Sequence, residues 1–286
     1  MERMYPDDRQ GEPFYNPALN EHRVIVEEMV PNEERSQALI ARAVELFRSR
    51  PLSKYDSKGE ARLADERNAK GVIGTLAEVW FDDLLQTQVT NNPSTRGRIK
   101  ITSEAPAFDK GEYDQVDFRI IKTPKGESSK EYTTELRSSN PFYSVTKALF
   151  RNFRVLGPYY NDIKRGERVK DFYAFIVFDL NQANYTQHHV RFKTPKGQFI
   201  NYSKTATNIL TKEIFTEDLQ LKSGFSIYFI GGATKEMMAD EAISETLALR
   251  NESYKNVQGE FVTIKIYNAL DAPTFLKMIL GLKLTS

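Results

Sequence analysis

Two carboxylates and a guanidinium stand at spacings that would gather them on one face of a β-hairpin. Asp117 lies in the sequence VDF, and Glu135 and Arg137 lie in ELR. Because successive side chains of a strand point to opposite faces, Asp117 faces away from Val116 and Phe118, while Glu135 and Arg137 share one face. Two carboxylates held close repel each other unless a cation or a proton lies between them. Magnesium, which binds carboxylate oxygens and retains waters, would satisfy such a pair.

The elements around these residues predict a mixed α/β core. Residues 68–86 carry apolar side chains at helical spacing, which predicts an amphipathic helix, and residues 98–102 predict a short strand. Residues 113–139 predict two strands joined by a turn at Thr123-Pro124-Lys125-Gly126. The nearly continuous apolar run at 171–180 predicts a central strand covered on both faces.

Further elements are predicted on both sides of this core. In chain order they are a strand or helical turn at 24–30, a helix after residue 32, a helix at 143–160, a strand at 224–232, a helix at 235–249, a strand at 260–270 and a short helix at 273–282. The fold class is therefore α/β, with an α+β mixed sheet. We expect an N-terminal arm and helical segment (1–67), a core (68–180) and a C-terminal extension (181–286) that completes the sheet.

Composition excludes several kinds of site. The 286 residues include no cysteine, which rules out disulfides, thiolate nucleophiles and cysteine-ligated metals, and three histidines leave little for a histidine-rich metal site. With 40 basic and 39 acidic residues, any nucleic-acid binding would depend on charge segregated onto one face. The polar N-terminus and the absence of a membrane-length apolar run predict a soluble, cytoplasmic protein without a membrane partner.

The order of these motifs resembles the PD-(D/E)XK nuclease superfamily, which has the restriction-endonuclease-like fold. VDF provides Asp117, ELR provides Glu135 and Arg137, and GTLAE in the preceding helix provides Glu78. The resemblance covers about residues 68–180 and implies an αβββαβ core with N- and C-terminal additions.

The resemblance also implies an activity. Asp117, Glu135 and Glu78 would bind one or two Mg²⁺ ions, and Arg137 would position water or phosphate. The protein would be an endonuclease that cuts double-stranded DNA, with sequence specificity like a type II restriction enzyme, and it would act as a homodimer. Arg137 stands where the family has lysine, and because arginine stays protonated it cannot act as a general base. Lys147 is the nearest lysine that could take that role.

Two basic regions are candidate DNA contacts. Lys147 and Arg151 lie on the helix expected at 143–160, and Arg191, Lys193 and Lys196 lie in a hairpin expected within 181–212. Such side chains can neutralise phosphates or reach base edges. A solvated helix face and a plain surface hairpin are the alternatives.

Other interpretations of the candidate site remain open at this stage. Asp117 could be an ordinary acid at a strand edge, Glu135 and Arg137 a simple ion pair, and Glu78 a solvated helix residue. At the level of function, the alternatives are a catalytically silent nucleic-acid-binding protein of the same fold, or a nuclease of repair, recombination, transposition or RNA.

Overall fold

The computed structural model describes residues 2–3, 22–49, 64–103, 116–139, 154–166, 168–179, 215–216, 218–250 and 258–282. Its elements are numbered here in chain order. They are β1 Glu2–Arg3, β2 Val24–Met29, α1 Glu34–Ser49, α2 Ala64–Asn91, β3 Ile99–Ser103, β4 Phe118–Lys122, β5 Lys130–Ser139, β6 Arg154–Tyr159, α3 Tyr160–Arg165, β7 Phe172–Asp179, β8 Phe225–Thr234, α4 Lys235–Ala239, β9 Ser244–Arg250, β10 Gln258–Lys265, β11 Leu270–Asp271 and α5 Ala272–Ile279.

An eight-stranded mixed sheet forms the centre of the fold. Its order is β1-β2-β8-β7-β5-β4-β3, with β11 paired to β8. The pair β5–β7 is parallel, whereas β3–β4, β4–β5 and β7–β8 are antiparallel. Strand β8, from the C-terminal extension, pairs with both β7 and β2, so all three predicted segments contribute strands to one sheet.

The helices α1, α2 and α5 cover one face of this sheet. Strand β7 shows how the sequence builds the two sides, because its side chains alternate between two apolar clusters. Phe172, Ala174, Ile176 and Phe178 pack in the cluster that includes the three helices. The intervening side chains of β7 belong to a second cluster on the opposite face. A strand buried on both faces must be apolar throughout, which explains the continuous hydrophobic run.

A smaller three-stranded sheet, in the order β6-β10-β9, covers part of the opposite face. Val155 of β6 and Val262 and Ile264 of β10 pack against Tyr173 and Phe175 of β7. The molecule is thus a mixed α+β fold. None of the helices within the described ranges is long and apolar enough to cross a membrane.

Most of the predicted elements are confirmed. They include β2 as a strand, the helix after residue 32, the helix at 68–86 (extended to 64–91), β3, the β4–β5 hairpin, β7, β8, β10 and the last helix. The hairpin expected within 181–212 lies outside the described residues.

The predicted helix at 143–160 is wrong over its last third. Residues 154–159 form β6, which pairs with β10, and residues 143–153 lie outside the described residues. The apolar spacing there has period two: Val155 and Gly157 are buried, and Leu156 between them is half-buried. A Cβ at Gly157 would lie 2.5 Å from Met238 Sδ and 3.1 Å from the Val262 carbonyl oxygen, so a larger residue there would displace the Met238 side chain of α4.

The predicted helix at 235–249 is also wrong beyond its first turns. Helix α4 ends at Ala239, and residues 244–250 form β9, which pairs with β10 from Ser244 to Arg250. Thr234 caps the start of α4 by accepting a hydrogen bond from the Met237 N–H. The alternation in SETLALR matches a strand period better than a helical one, and the ladder to β10 satisfies its backbone.

Candidate active site

Asp117 lies at the beginning of β4, one residue before the first paired residue, Phe118. Its backbone N–H donates to the Thr134 carbonyl at 3.1 Å, and its Oδ2 accepts from the Leu136 N–H at 2.6 Å. Asp117 therefore bridges to β5 through both backbone and side chain. The carboxylate accepts a hydrogen bond from a backbone N–H of β5 just ahead of the point where β4 begins.

The hairpin register explains how the acids meet. Phe118 is paired with Thr134, so one further step in the same register would set Asp117 opposite Glu135. Phe118 packs in the cluster on the helical side of the sheet, and Leu136 packs against that cluster. Glu135 and Arg137 alternate with Leu136 and belong to the other face. Asp117 is close enough to this hairpin face for the charges of Glu135 and Arg137 to act on its pKa.

The carboxyl group of Asp117 is held in an unusual electrostatic environment. Asp117 as a residue retains partial exposure, but burial of its carboxylate is the largest cause that raises its pKa to about 7. The negative charges of Glu78 and Glu135 raise this pKa further. The hydrogen bond from Leu136 and the charge of Arg137 act in the opposite direction without overcoming burial.

Glu78 reaches this environment from α2. It lies between Ala77 and Val79, which are buried in the cluster on the helical side, and is itself half-buried. Its charge raises the pKa of Asp117, as does the charge of Glu135 on β5. A helix and two strands thus bring three acids into one electrostatic neighbourhood.

Arg137 forms an ion pair with Glu135 through Nη2 and Oε1. The Glu135 side chain is 17% exposed and that of Arg137 is 39% exposed. The Nε atom of Arg137 is buried and has no hydrogen-bond partner within the described part of the chain. The guanidinium of Arg137 therefore neutralises the charge of Glu135 directly and compensates the charge of Asp117 less well.

The carboxylate oxygens of this site are the type of ligand that a hard cation such as Mg²⁺ prefers. Asp117 and Glu135 offer carboxylate oxygens, and Mg²⁺ in proteins is commonly held by one or two carboxylates together with waters and substrate phosphates. Within the described ranges, no three histidine, aspartate or glutamate side chains form a group close enough to hold a metal. Asp117 and Glu135 supply the two carboxylates that a site of this kind needs.

A second cluster, not identified from the sequence, supports the strand that carries the acids. Asp171, just before β7, accepts from the Thr133 N–H at 2.8 Å, from Thr133 Oγ1 at 3.1 Å and from Lys235 Nζ at 2.8 Å. Burial opposes ionisation of Asp171, but the hydrogen bonds from Lys235 and Thr133 hold its pKa below its ordinary value. This bridge ties β5, β7 and α4 together two residues before Glu135. The position of Asp171 ahead of a strand, like that of Asp117, was the available sequence signal.

The five candidate DNA-contacting residues lie outside the described residues: Lys147, Arg151, Arg191, Lys193 and Lys196. Their role remains a prediction.

Comparison with known proteins finds no matching family model, no matching curated protein and no matching solved structure.

Proposed function

We propose that this protein is a metal-dependent nuclease that hydrolyses phosphodiester bonds of double-stranded DNA. The observation that carries the proposal is the placement of the Asp117 carboxylate, which accepts a hydrogen bond from the Leu136 N–H of β5, and burial and the charges of Glu78 and Glu135 raise its pKa. Buried acids that repel one another are stabilised by binding a cation or a proton. Strongly perturbed carboxyl groups of this kind are concentrated at functional sites.

The arrangement of elements supports the same proposal. In chain order, α2 carries Glu78, β4 begins beside Asp117, and β5 carries Glu135 and Arg137. Strand β7 then lies parallel to β5. The order of helix, three strands and a further strand parallel to the third fits part of the αβββαβ core proposed from the sequence; between β5 and β7 the described residues form β6 and α3.

The chemistry proposed for the site divides between the ion and the protein. A bound Mg²⁺ would polarise the phosphate and lower the pKa of an attacking water. Asp117 and Glu135 would hold the ion, and Glu78 would orient a coordinated water. Arg137 would release Glu135 and contribute positive charge beside the phosphate, where negative charge increases in the transition state. Because arginine stays protonated, the proton of the attacking water would pass to another group or to solvent.

The finer features of the proposal rest on the resemblance and on symmetry. Sequence-specific cutting, like that of a type II restriction enzyme, would use the C-terminal extension to contact bases. Cutting both DNA strands at one site would favour a two-fold homodimer, because each protomer would then cut one strand. One or two Mg²⁺ ions per site are compatible with two strand-borne carboxylates.

One observation favours a second candidate, a catalytically silent DNA-binding protein. The ion pair between Arg137 and Glu135 engages a carboxylate that the nuclease needs for its metal. If this pair persists when nucleic acid binds, the site would bind DNA through its cations without hydrolysing it. Such a protein would show affinity for nucleic acid that does not depend on Mg²⁺.

Incubation of the purified protein with long duplex DNA, with and without Mg²⁺, tests the proposal. The wild type is compared with Asp117→Asn and Glu135→Gln, and with Glu127→Gln as a matched control in the exposed turn between β4 and β5. The nuclease predicts Mg²⁺-dependent fragments from the wild type and Glu127→Gln and none from the other two variants. Discrete fragments would support sequence-specific cutting, and a smear would support a nuclease of repair or recombination. Intact DNA in every lane would overturn the proposal for duplex DNA.

A further inference from the structure

The antiparallel strands β3, β4 and β5 share one sheet face with Glu135, and this face extends from the acid pair toward β3. In register, Arg119 of β4 is opposite Thr133 of β5 and Thr102 of β3, and Ile121 is opposite Lys100. These residues alternate with those that pack toward the helices, so they lie on the same face as Glu135. We call this surface the open face; its residues are Lys100, Thr102, Arg119, Ile121, Glu131, Thr133, Glu135 and Arg137.

The small sheet β6-β10-β9 does not extend over the open face in the described part of the chain. The apolar cluster beneath it draws its central-sheet residues from β2, β7 and β8 and includes no residue of β3, β4 or β5 among those described. Lys100 and Thr102 are exposed, and the side chain of Arg119 is 37% exposed. The open face is thus polar and is accessible at Lys100, Thr102 and Arg119, whereas β7 and β8 are covered on this side of the sheet.

Cations on this surface lie along a diagonal that begins at the acid site. Arg119 is two residues along β4 from Asp117, a separation of about 7 Å in an extended strand. Lys100 is the next diagonal neighbour, about 7–8 Å further across to β3. Arg119 forms an ion pair with Glu131, which holds its guanidinium over the face. Beyond the acid pair and Arg137, the charged residues of the open face are Lys100, Arg119 and Glu131.

We propose that the backbone of duplex DNA lies along the open face and that Arg119 contacts a phosphate next to the one that a metal ion on Asp117 and Glu135 would bind. This inference rests on the proposed nuclease function. A nucleic-acid strand bound at the acid pair carries further phosphates on both sides, and arginine binds phosphate through two parallel N–H donors. Contact with Arg119 would fix which phosphate enters the acid site, so Arg119 is a positioning residue.

Binding of a fluorescent duplex DNA, with Ca²⁺ replacing Mg²⁺ and over a series of salt concentrations, tests this role. Arg119→Gln is compared with Arg42→Gln, which removes the same charge from an exposed, ion-paired arginine of α1 on the helical side of the sheet. We expect Arg119→Gln to weaken binding about tenfold. We also expect the slope of log affinity against log salt to fall by about one, as for the loss of one phosphate contact. Arg42→Gln should leave both quantities near the wild-type values.

Two further variants separate contact from structure. Arg119→Lys keeps the charge and should recover most of the affinity, and Glu131→Gln removes the competing carboxylate and should tighten binding. Thermal unfolding of each variant shows whether the fold is intact, and an exposed ion pair contributes little to it. If the wild type cleaves DNA and Arg119→Gln binds like Arg42→Gln, the inference is wrong and the nuclease stands. If the wild type neither binds nor cleaves duplex DNA, both are wrong.

Discussion

The backbone N–H of Leu136 donates a 2.6 Å hydrogen bond to Oδ2 of Asp117. Such a bond favours the ionised carboxyl group, yet the pKa of Asp117 is raised to about 7, since burial and the charges of Glu78 and Glu135 outweigh it. The bond therefore fixes the position of the Asp117 carboxylate, while burial and the neighbouring acids leave its negative charge poorly compensated. An oriented but poorly compensated acid is a suitable ligand for a metal ion that arrives with substrate.

Replacement of Asp117 by asparagine should stabilise the metal-free protein above neutral pH. Between about pH 4 and 7 the folded state holds a proton that the unfolded state has released, so the free energy of unfolding falls as pH rises through this range. The loss persists above pH 7. Asp117→Asn removes this ionisation, and its amide oxygen can still accept from Leu136. We expect a gain of about 1–3 kcal/mol at pH 8, after allowance for partial exposure, and a flatter pH profile.

Thermal or urea unfolding in EDTA from pH 4 to 9 measures this effect. Asp162→Asn on α3 is the control, because it removes a half-buried aspartate far along the chain from the site. An unchanged pH slope in Asp117→Asn would show that Asp117 is not the group that titrates near neutrality.

Mg²⁺ should raise the unfolding temperature of the wild type, and more strongly at pH 8 than at pH 6. The ion and the proton compete for the carboxylate of Asp117, so the apparent metal affinity should fall by up to about tenfold per pH unit below pH 7. Asp117→Asn and Glu135→Gln should each abolish the stabilisation, whereas Glu127→Gln should retain it. Equal Mg²⁺ shifts in wild type and Asp117→Asn would place any bound ion elsewhere.

Replacement of Glu78 by glutamine should lower the pKa of Asp117, because it removes one of the negative charges that raise it. The pH range over which stability falls should therefore end at a lower pH, and Mg²⁺ should bind at a lower pH than in the wild type. Carboxyl-carbon NMR of labelled aspartate measures the pKa directly. Glu45→Gln, an exposed residue of α1, should leave it unchanged. If both variants titrate like the wild type, Glu78 has no electrostatic part in the site.

Arg137 should have opposite effects on metal binding and on cleavage. Arg137→Gln releases Glu135 from its ion pair, so the affinity for Mg²⁺ should rise severalfold. Cleavage at saturating Mg²⁺ should fall by about 10²-fold, because a positive charge beside the phosphate is lost. Arg137→Lys should retain much of the wild-type rate. Isothermal titration and single-turnover cleavage separate the two quantities, and an unchanged cleavage rate in Arg137→Gln would exclude a role for the guanidinium in the transition state.

The hairpin and its acids were predictable because their signals are local. Alternation of Phe118 and Ile120 with polar residues, and the proline and glycine in the turn, set both the strand faces and the register. From that register the meeting of Asp117 with Glu135 follows directly. The proximity of Glu78 was not derivable in this way, since it depends on how α2 packs across the sheet. Its assignment came from the resemblance alone.

The two wrong helices had a different cause. In both, apolar residues fit a helical spacing in part, but pairing with β10 decided the outcome. Val155 and Gly157 pack against the second apolar cluster and α4, and that second layer has no signal in the local sequence. Long-range strand pairing overrides local propensity when it satisfies the backbone and buries one face.

Replacement of Lys122 by methionine tests the packing at the other end of β4. Lys122 Nζ lies 4.5 Å from the centre of the Tyr132 ring and donates to the Met278 carbonyl at 3.1 Å, and burial lowers its pKa to about 8. Between about pH 8 and 10 the unfolded state holds a proton that the folded state has released, so stability should rise with pH in this range. Lys122→Met should flatten that slope and keep the aromatic contact. Lys125→Met, exposed in the turn between β4 and β5, should keep the wild-type slope in thermal unfolding. A slope retained in Lys122→Met would show that a different group titrates there.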